Sequence, residues 1–229
     1  MIREHRKPAL SEIRGAGIEI GALHEPFPVP PGVAVTYVDT LTVEQATALF
    51  PEIDAAKITR ADRILDLDVD GLAGFPDRSL DFVIISHVLE HLANPIKVVG
   101  EVFRVLRPGG TAIIAVPDMR YTFDKSRKLT PFEHVLADYR TGVTENSDEH
   151  YVDFLRGVAP GILDGPPENL PHHIARVRAR REHSHVWTSD TFRDFLRRSV
   201  EICGVPARAV YDSGGEQNAF EYFGVWKRD

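Results

Sequence analysis

The chain has 229 residues, of which 43% are hydrophobic and 27% are charged, and its formal net charge is −7. Such a length can bury one large core, and the acidic balance disfavours long nucleic acid, whose phosphates need clustered positive charge. No apolar run reaches the ~18 residues of a membrane span, the first residues lack a secretory apolar stretch, and Cys203 is the single cysteine. We therefore expect one cytoplasmic domain over residues 1–229 that binds no nucleic acid and has no membrane span, and that could form a homodimer.

Four short segments rich in β-branched residues are typical of strands buried on both faces, as in a parallel sheet. They begin at Gly17, Val33, Leu80 and Thr111. Between the last two, Asn94 suits a helix cap and Pro95 the first helical position. Strand, helix and strand at this spacing predict a right-handed crossover and a doubly wound α/β sheet.

Residues 119–185 differ from this pattern because they are polar and rich in His, Arg and Pro. We predict one helix from about Pro131 to Arg140, a loop over Pro160–Pro171, and an insertion that lies over the carboxyl edge of the sheet. Residues 186–229 return to regular structure, with a helix capped by Thr188 or Ser189. A hairpin then closes the sheet.

Two residues at strand ends point to a bound nucleoside. Gly21 follows the first strand, where a glycine lets backbone approach a ligand closely. Asp39 ends the second strand, where a carboxylate can accept both ribose hydroxyls. The dinucleotide pattern G-x-G-x-x-G is absent, which argues against NAD and FAD.

Taken in order, these motifs resemble class I S-adenosylmethionine-dependent methyltransferases. The resemblance covers about residues 15–118 and is most specific over residues 81–110. The segments that carry it are Gly17-Ile-Glu-Ile-Gly21, Tyr37-Val-Asp39, Asp77-Arg-Ser-Leu-Asp-Phe-Val-Ile-Ile-Ser-His-Val-Leu-Glu-His91 and Arg104-Val-Leu-Arg-Pro-Gly-Gly110.

The resemblance implies a seven-stranded, mostly parallel Rossmann-like sheet and S-adenosylmethionine as the cofactor. It places the first loop against the methionine part of the cofactor, Asp39 on the ribose, and an acidic residue beside the adenine. The implied cofactor residues are Gly17, Glu19, Gly21, Ala22, Asp39, Asp68 (with Asp66 and Asp70 as rivals), Ser86, His87 and His91. One departure is Leu23, which stands where the family has a second glycine.

The acceptor of the methyl group is expected to bind in the insertion, which holds six of the ten histidines. An aliphatic hydroxyl needs its proton removed as the new bond forms, and histidine suits that role near neutral pH. In an extended segment His183, His185 and Trp187 would share one face. We predict His183 or His185 as the base, Asp118 as its carboxylate partner, and Trp187 as a platform for a sugar ring.

Polar residues after the fifth strand can hydrogen-bond a polyhydroxylated acceptor. We assign acceptor binding to Arg120, Tyr121, Asp124, Arg127, His134 and His150, with Trp187. The patterns Pro-Asp-x-Arg-x-Thr-Phe-Asp and His-x-His-x-Trp also resemble a bacterial methyltransferase subgroup that modifies sugars and surface polysaccharides. This resemblance implies O-methylation of a sugar or oligosaccharide hydroxyl.

Two other functions remain open. The chain could methylate a small-metabolite amine or carboxylate, in which case the histidines bind the acceptor, or it could bind the cofactor without catalysis. Clustered His, Asp and Glu can also hold a divalent ion, but we assign no metal ligands.

Overall fold

The computed structural model describes residues 2–229, and its core is one seven-stranded sheet. The strands are β1 Ala16–Ile20, β2 Ala34–Asp39, β3 Arg63–Ile64, β4 Leu80–Ser86, β5 Leu106–Pro117, β6 Ala207–Ser213 and β7 Glu221–Arg228. Their order in the sheet is β3-β2-β1-β4-β5-β7-β6. β1 to β5 pair in parallel, and β7 runs antiparallel to both β5 and β6. The predicted α/β sheet is confirmed, with one antiparallel strand.

Seven α-helices accompany the sheet within residues 2–229. They are α1 Val43–Leu49, α2 Pro95–Val105, α3 Phe132–Thr141, α4 Asp148–Val158, α5 Leu170–Ala179, α6 Ser189–Ile202 and α7 Gly215–Asn218. No helix within residues 2–229 is both long and apolar enough to cross a membrane.

The sheet is apolar on both faces because alternate residues of each central strand enter opposite clusters. In β4, Val83 and Ile85 pack with α2 and α6, whereas Phe82 and Ile84 pack on the other face. A 3-10 segment, Glu4–Ser11, and the loop that carries Phe27 cover that second face. Continuous apolar strands are what burial on both faces requires, so the apolar runs predicted them well.

The crossover helix α2 begins as its sequence predicts. The side chain of Asn94 accepts a hydrogen bond from the Lys97 backbone N–H at 3.1 Å, and Pro95 occupies the first turn. Ile96, Val99 and Phe103 are buried against the sheet. Thr188 caps α6 in a reciprocal capping box, as one of the two predicted alternatives.

The segment 119–185 contains more helix than predicted. α3 lies where a helix was expected, but α4 and α5 were missed, and the expected loop contains two short 3-10 turns. α4 and α5 pack on each other through a small separate cluster that includes Tyr151, Phe154, Leu155 and Val177. Each helix depends on its partner for burial, so neither has a strong signal of its own.

Candidate functional site

A mostly apolar cavity lies at the carboxyl ends of β1, β2 and β4. We call it the first cavity. Gly21, Asp39, His87 and His91 line it, together with Leu65, Leu67 and other apolar side chains. Ligands of open α/β sheets bind at this edge, so the position agrees with the predicted nucleoside site.

The backbone after β1 needs glycine at one position and tolerates its absence at another. Gly21 has φ +70°, and a Cβ there would lie 2.5 Å from Val88 Cγ2. Leu23 has φ +42°, in the left-handed region that favours glycine. The departure at Leu23 therefore keeps the left-handed backbone that a glycine would adopt, at some conformational cost.

The end of α5 forms the other side of the first cavity. Residues 179–182 line it, and Arg180 donates to the Leu49 carbonyl at 2.6 Å and to Glu52 at 2.7 Å. Arg181 forms an ion pair with Asp66. Two arginines thus fasten this stretch across the strand ends.

The predicted cofactor residues separate into two groups. Gly21, Asp39, His87 and His91 line the first cavity, whereas Ala22 and Ser86 do not. Gly17 is buried in β1, where a Cβ would lie 2.3 Å from the Phe82 carbonyl oxygen, so its role in the structure is close packing. Glu19 accepts the Phe27 backbone N–H at 2.7 Å, and burial raises its pKa to about 7.

Asp68 does not reach the first cavity. Its carboxylate is buried and accepts the Asn94 backbone N–H at 3.0 Å, at the start of α2. Asp68 and Asp66 instead line a second cavity, which is polar and also borders Asn146, Tyr151 and Arg178. His91, Ala179 and Arg181 line both cavities and form the wall between them.

Glu90 is fully buried, and neither of its carboxylate oxygens has a hydrogen-bond partner within the described chain. Three imidazole nitrogens face its Oε1 atom: His91 Nε2 at 3.8 Å, His87 Nδ1 at 3.9 Å and His183 Nε2 at 4.0 Å. Burial raises the pKa of Glu90. Burying an unpaired carboxylate costs free energy, so we interpret this cluster as a candidate binding site for a polar group or a cation.

The outer nitrogens of these three histidines are held by other groups. His87 Nε2 bonds Glu221 at 2.7 Å, and His91 Nδ1 donates to the Arg181 carbonyl. His183 Nδ1 bonds Asp124 at 2.7 Å. A hydrogen bond on one nitrogen fixes the tautomer and leaves the other free, so each inward nitrogen is oriented toward Glu90.

The carboxylate partner of His183 is Asp124, and the predicted pairing with Asp118 is wrong. Asp118 is buried and accepts the backbone and side chain of Ser189, each at 2.8 Å, and the side chain of Arg120. It therefore secures the start of α6. Asp124 also accepts from Arg127 at 2.9 Å. Burial alone would lower the pKa of His183, but the bond to Asp124 and the charge of Glu90 raise it.

The histidines at 183 and 185 do not share one face. Ser184 and His185 both donate their backbone N–H groups to the Glu90 carbonyl, at 2.8 and 2.9 Å, which is incompatible with an alternating strand. His185 lies with His134 and His150 in a separate cluster. Its ring is fully buried, and burial holds its pKa well below the ordinary value, which disfavours it as a base.

The remaining predicted acceptor residues have varied surroundings. Trp187 is buried against Phe192 and Phe195, so the interpretation as an exposed sugar platform is wrong. Arg127 is also buried, where it donates to Asp153 and to the His183 carbonyl. Arg120 and Tyr121 lie at the surface.

One feature of the motif Ser86-His-Val-Leu-Glu-His91 was missed. It contains the spacing His-x-x-Glu-His, which is a metal-ligand pattern when it lies on a helix. Here Leu89–His91 forms a single 3-10 turn. One atom each of Glu90, His91 and His183 lie within 4.8 Å of one another, so these three residues could hold a cation.

Glu221 is a further residue of the site that sequence reasoning missed. It is fully buried at the start of β7 and accepts hydrogen bonds from Arg6, His5 and His87. Burial alone would raise its pKa, but the bonds from His87 and Arg6 lower it to about 2. Because His87 is 134 residues away and Arg6 is 215 away, no local pattern could reveal this contact.

Comparisons with known proteins agree with this geometry. Residues 16–114 match a family described as a methyltransferase domain. A Mycolicibacterium smegmatis protein named as an S-adenosylmethionine-dependent methyltransferase is 36% identical over 96 residues, which are 41% of this chain and 33% of that protein. The aligned residues thus span about a third of the length of that curated relative.

Two solved structures resemble the fold over nearly the whole chain. A Pyrococcus horikoshii protein is 15% identical with a TM-score of 0.52, covering 99% of this chain and 89% of that one. A Rhodobacter sphaeroides protein whose name refers to zinc-dependent alcohol dehydrogenases is 11% identical with a TM-score of 0.56, covering 99% and 89%. At these identities the likeness shows the fold alone.

Replacing Glu221 by Gln tests how the site is held. Since Glu221→Gln leaves Arg6 and His87 without their buried anion, the free energy of unfolding at pH 7 should fall by about 3 kcal/mol, measured by urea denaturation. The half-exposed Glu216, replaced by Gln, serves as the control and should change it little.

The difference in the free energy of unfolding between the wild type and Glu221→Gln should depend on pH. The pKa of Glu221 is lowered from its usual 4.5 to about 2 on folding, so its stabilisation is complete above 4.5 and is lost as pH falls toward 2. The difference between wild type and Glu221→Gln should therefore narrow below pH 4.5. An equal difference at pH 7 and pH 3 would contradict this assignment.

Proposed function

We propose that this chain, which carries the methyltransferase domain of class I S-adenosylmethionine-dependent enzymes, transfers a methyl group to a sugar hydroxyl, with His183 as general base. S-adenosylmethionine is the cofactor that the domain and the relative imply. The observation that carries the acceptor chemistry is the Glu90–His91–His183 cluster, beside the His91 wall of the first cavity.

The first cavity is the proposed cofactor site. Gly21 permits close approach of the ligand, and Asp39 is positioned at the end of β2 to accept the ribose hydroxyls. The apolar side chains of Leu65 and Leu67 suit the adenine ring. His87 and His91 then lie on the side expected for the methionine and its methyl group.

The three inward atoms of the cluster are spaced for an oxygen atom. Glu90 Oε1 lies 3.8 Å from His91 Nε2 and 4.0 Å from His183 Nε2. A hydroxyl oxygen between them can be about 2.8 Å from each, and it can donate its one proton to His183 Nε2. A zinc ion with bonds of about 2.1 Å would need donors about 3.4 Å apart, so this cluster would have to contract by a few tenths of an ångström to hold one.

The proposed reaction is an in-line displacement. The acceptor oxygen attacks the methyl carbon, the carbon–sulfur bond breaks, and its electron pair stays on sulfur, which yields S-adenosylhomocysteine. His183 Nε2 takes the hydroxyl proton, and Asp124 stabilises the imidazolium through Nδ1–H. Since the single hydroxyl proton goes to His183, Glu90 contributes through its charge, which raises the pKa of that base.

A sugar is the acceptor class that the second cavity supports best. Its carboxylates, amide, phenol and guanidinium can hydrogen-bond neighbouring hydroxyl groups, and it meets the first cavity at His91. The segment 119–185 supplies Asn146, Tyr151 and Arg178 to this cavity, so we propose that it is the acceptor-binding lid over the carboxyl edge. A methyltransferase of a small amine or carboxylate would need no base, and His183 would then only bind.

Cofactor binding is tested by titrating S-adenosylhomocysteine into the protein by calorimetry. Replacement Asp39→Ala removes a charged acceptor for two ribose hydroxyls and should weaken binding by about 10–100-fold. Asp54→Ala, an exposed carboxylate that caps a short 3-10 turn, serves as the control and should bind normally. Equal affinity for wild type and Asp39→Ala would place the ribose elsewhere.

The base is tested by kinetics with a panel of sugar acceptors. His183→Ala should lower kcat by about 10²–10⁴-fold with little change in KM, because it removes proton transfer rather than binding. The exposed His172→Ala is the control. A rise in KM with kcat unchanged would instead support the amine or carboxylate acceptor.

The pH profile provides the second part of this test. The pKa of His183 is raised on folding, so the neutral, active form appears as pH rises, and kcat should increase through a pKa above 6.5. Asp124→Asn removes one cause of the raised pKa and should move that limb to lower pH. Loss of activity on chelation, restored by a divalent ion, would show that the cluster holds a cation.

A further inference from the structure

We infer that His134, His150 and His185 form a binding site for a divalent transition metal such as zinc, separate from the methyl-transfer site. One ring nitrogen of each histidine lies within 4.8 Å of the others. The site goes beyond the proposed methyl transfer, and its test does not depend on that activity.

His185 is the observation that points to a ligand. Its ring is 1% exposed, and neither ring nitrogen has a hydrogen-bond partner within the described chain. The Leu92 backbone interacts with this ring but does not meet hydrogen-bond geometry. A buried imidazole with two unsatisfied nitrogens is costly, and coordination of an ion by one of them would offset that cost.

The other two histidines bring their Nε2 atoms close together. His134 Nε2 and His150 Nε2 are 2.9 Å apart. Zinc–nitrogen bonds of about 2.0–2.1 Å place tetrahedral donors about 3.4 Å apart. The two nitrogens therefore need to move apart by only a few tenths of an ångström to admit the ion. Ser147 Oγ lies 3.1 Å from His150 Nδ1 and orients Nε2 toward the site.

The surroundings also suit a cation. Asp138 Oδ2 lies 3.3 Å from His134 Nε2 and places a negative charge beside the site. Glu149 and Asp153 border the adjoining surface cavity, opposed by Lys128 there and by Arg127, which pairs with Asp153.

The three ligands come from three separate parts of the fold. His134 lies in α3, His150 in α4, and His185 in the segment that leads into α6. A bound ion would therefore tie these parts together. It would also fix the backbone of His183, two residues before His185, so the metal would act as a positioning element for the proposed base.

The test uses the full chain, stripped with chelator and titrated with zinc chloride against a chromophoric chelator. We expect one ion per chain, with His134→Ala and His150→Ala each weakening the affinity by at least about 100-fold, and Ser147→Ala by about tenfold. The double replacement His172→Ala with His173→Ala is the matched control, because these neighbouring histidines lie in α5 outside the cluster, and it should keep the wild-type affinity.

Two further comparisons between variants show which cluster holds the ion. Zinc should raise the Tm of the wild type and of Glu90→Gln, but not that of His134→Ala, whose side chain is 41% exposed and whose loss should not prevent folding. Wild-type affinity in His134→Ala and His150→Ala would overturn the inference. Loss of binding in Glu90→Gln alone would place the ion at the methyl-transfer site instead.

Discussion

The burial of Glu90 is the constraint on which the functional half of this molecule depends. Its backbone carbonyl accepts two consecutive N–H groups from the segment at Ser184 and His185, and its side chain faces three imidazoles. The turn that carries Glu90 follows β4, so the sheet edge and the segment 119–185 are in contact at this residue. The Glu90 carboxylate has no hydrogen-bond partner within the described chain. Because such burial is costly, we interpret this contact as a binding site and not only as packing.

The histidines around Glu90 are organised by partners far away in sequence. Glu221, Asp124 and the Arg181 carbonyl each hold the outer nitrogen of one ring. The protonation behaviour of His91 and His183 differs although both rings are anchored in this way. Burial lowers the pKa of His91 to about 3, whereas Asp124 and Glu90 raise that of His183. Of these two rings, His183 therefore has the basicity that a proton acceptor near neutral pH requires.

The sheet and the order of its motifs could be predicted from sequence because their signals are local. Apolar runs identify strands buried on both faces, and Asn94 with Pro95 marks the start of α2. Gly21 and Asp39 could be assigned to the first cavity because each lies at the end of a predicted strand. The residues that bind the acceptor were harder to predict. Asp118 and Asp124 are the same residue type and lie near each other in sequence, and only the packed structure shows which of them contacts His183. The prediction that His183 and His185 share one face assumed an extended strand. It is wrong because the backbone N–H groups of Ser184 and His185 both bond the Glu90 carbonyl.

A structure of the protein with S-adenosylhomocysteine bound tests the central claim most directly. The cofactor should occupy the first cavity with its ribose on Asp39 and its sulfur turned toward His91, with the Glu90–His183 oxygen site on the far side of the departing methyl position. A sulfur atom directed away from Glu90, with His183 Nε2 shielded from the methyl position, would contradict the account.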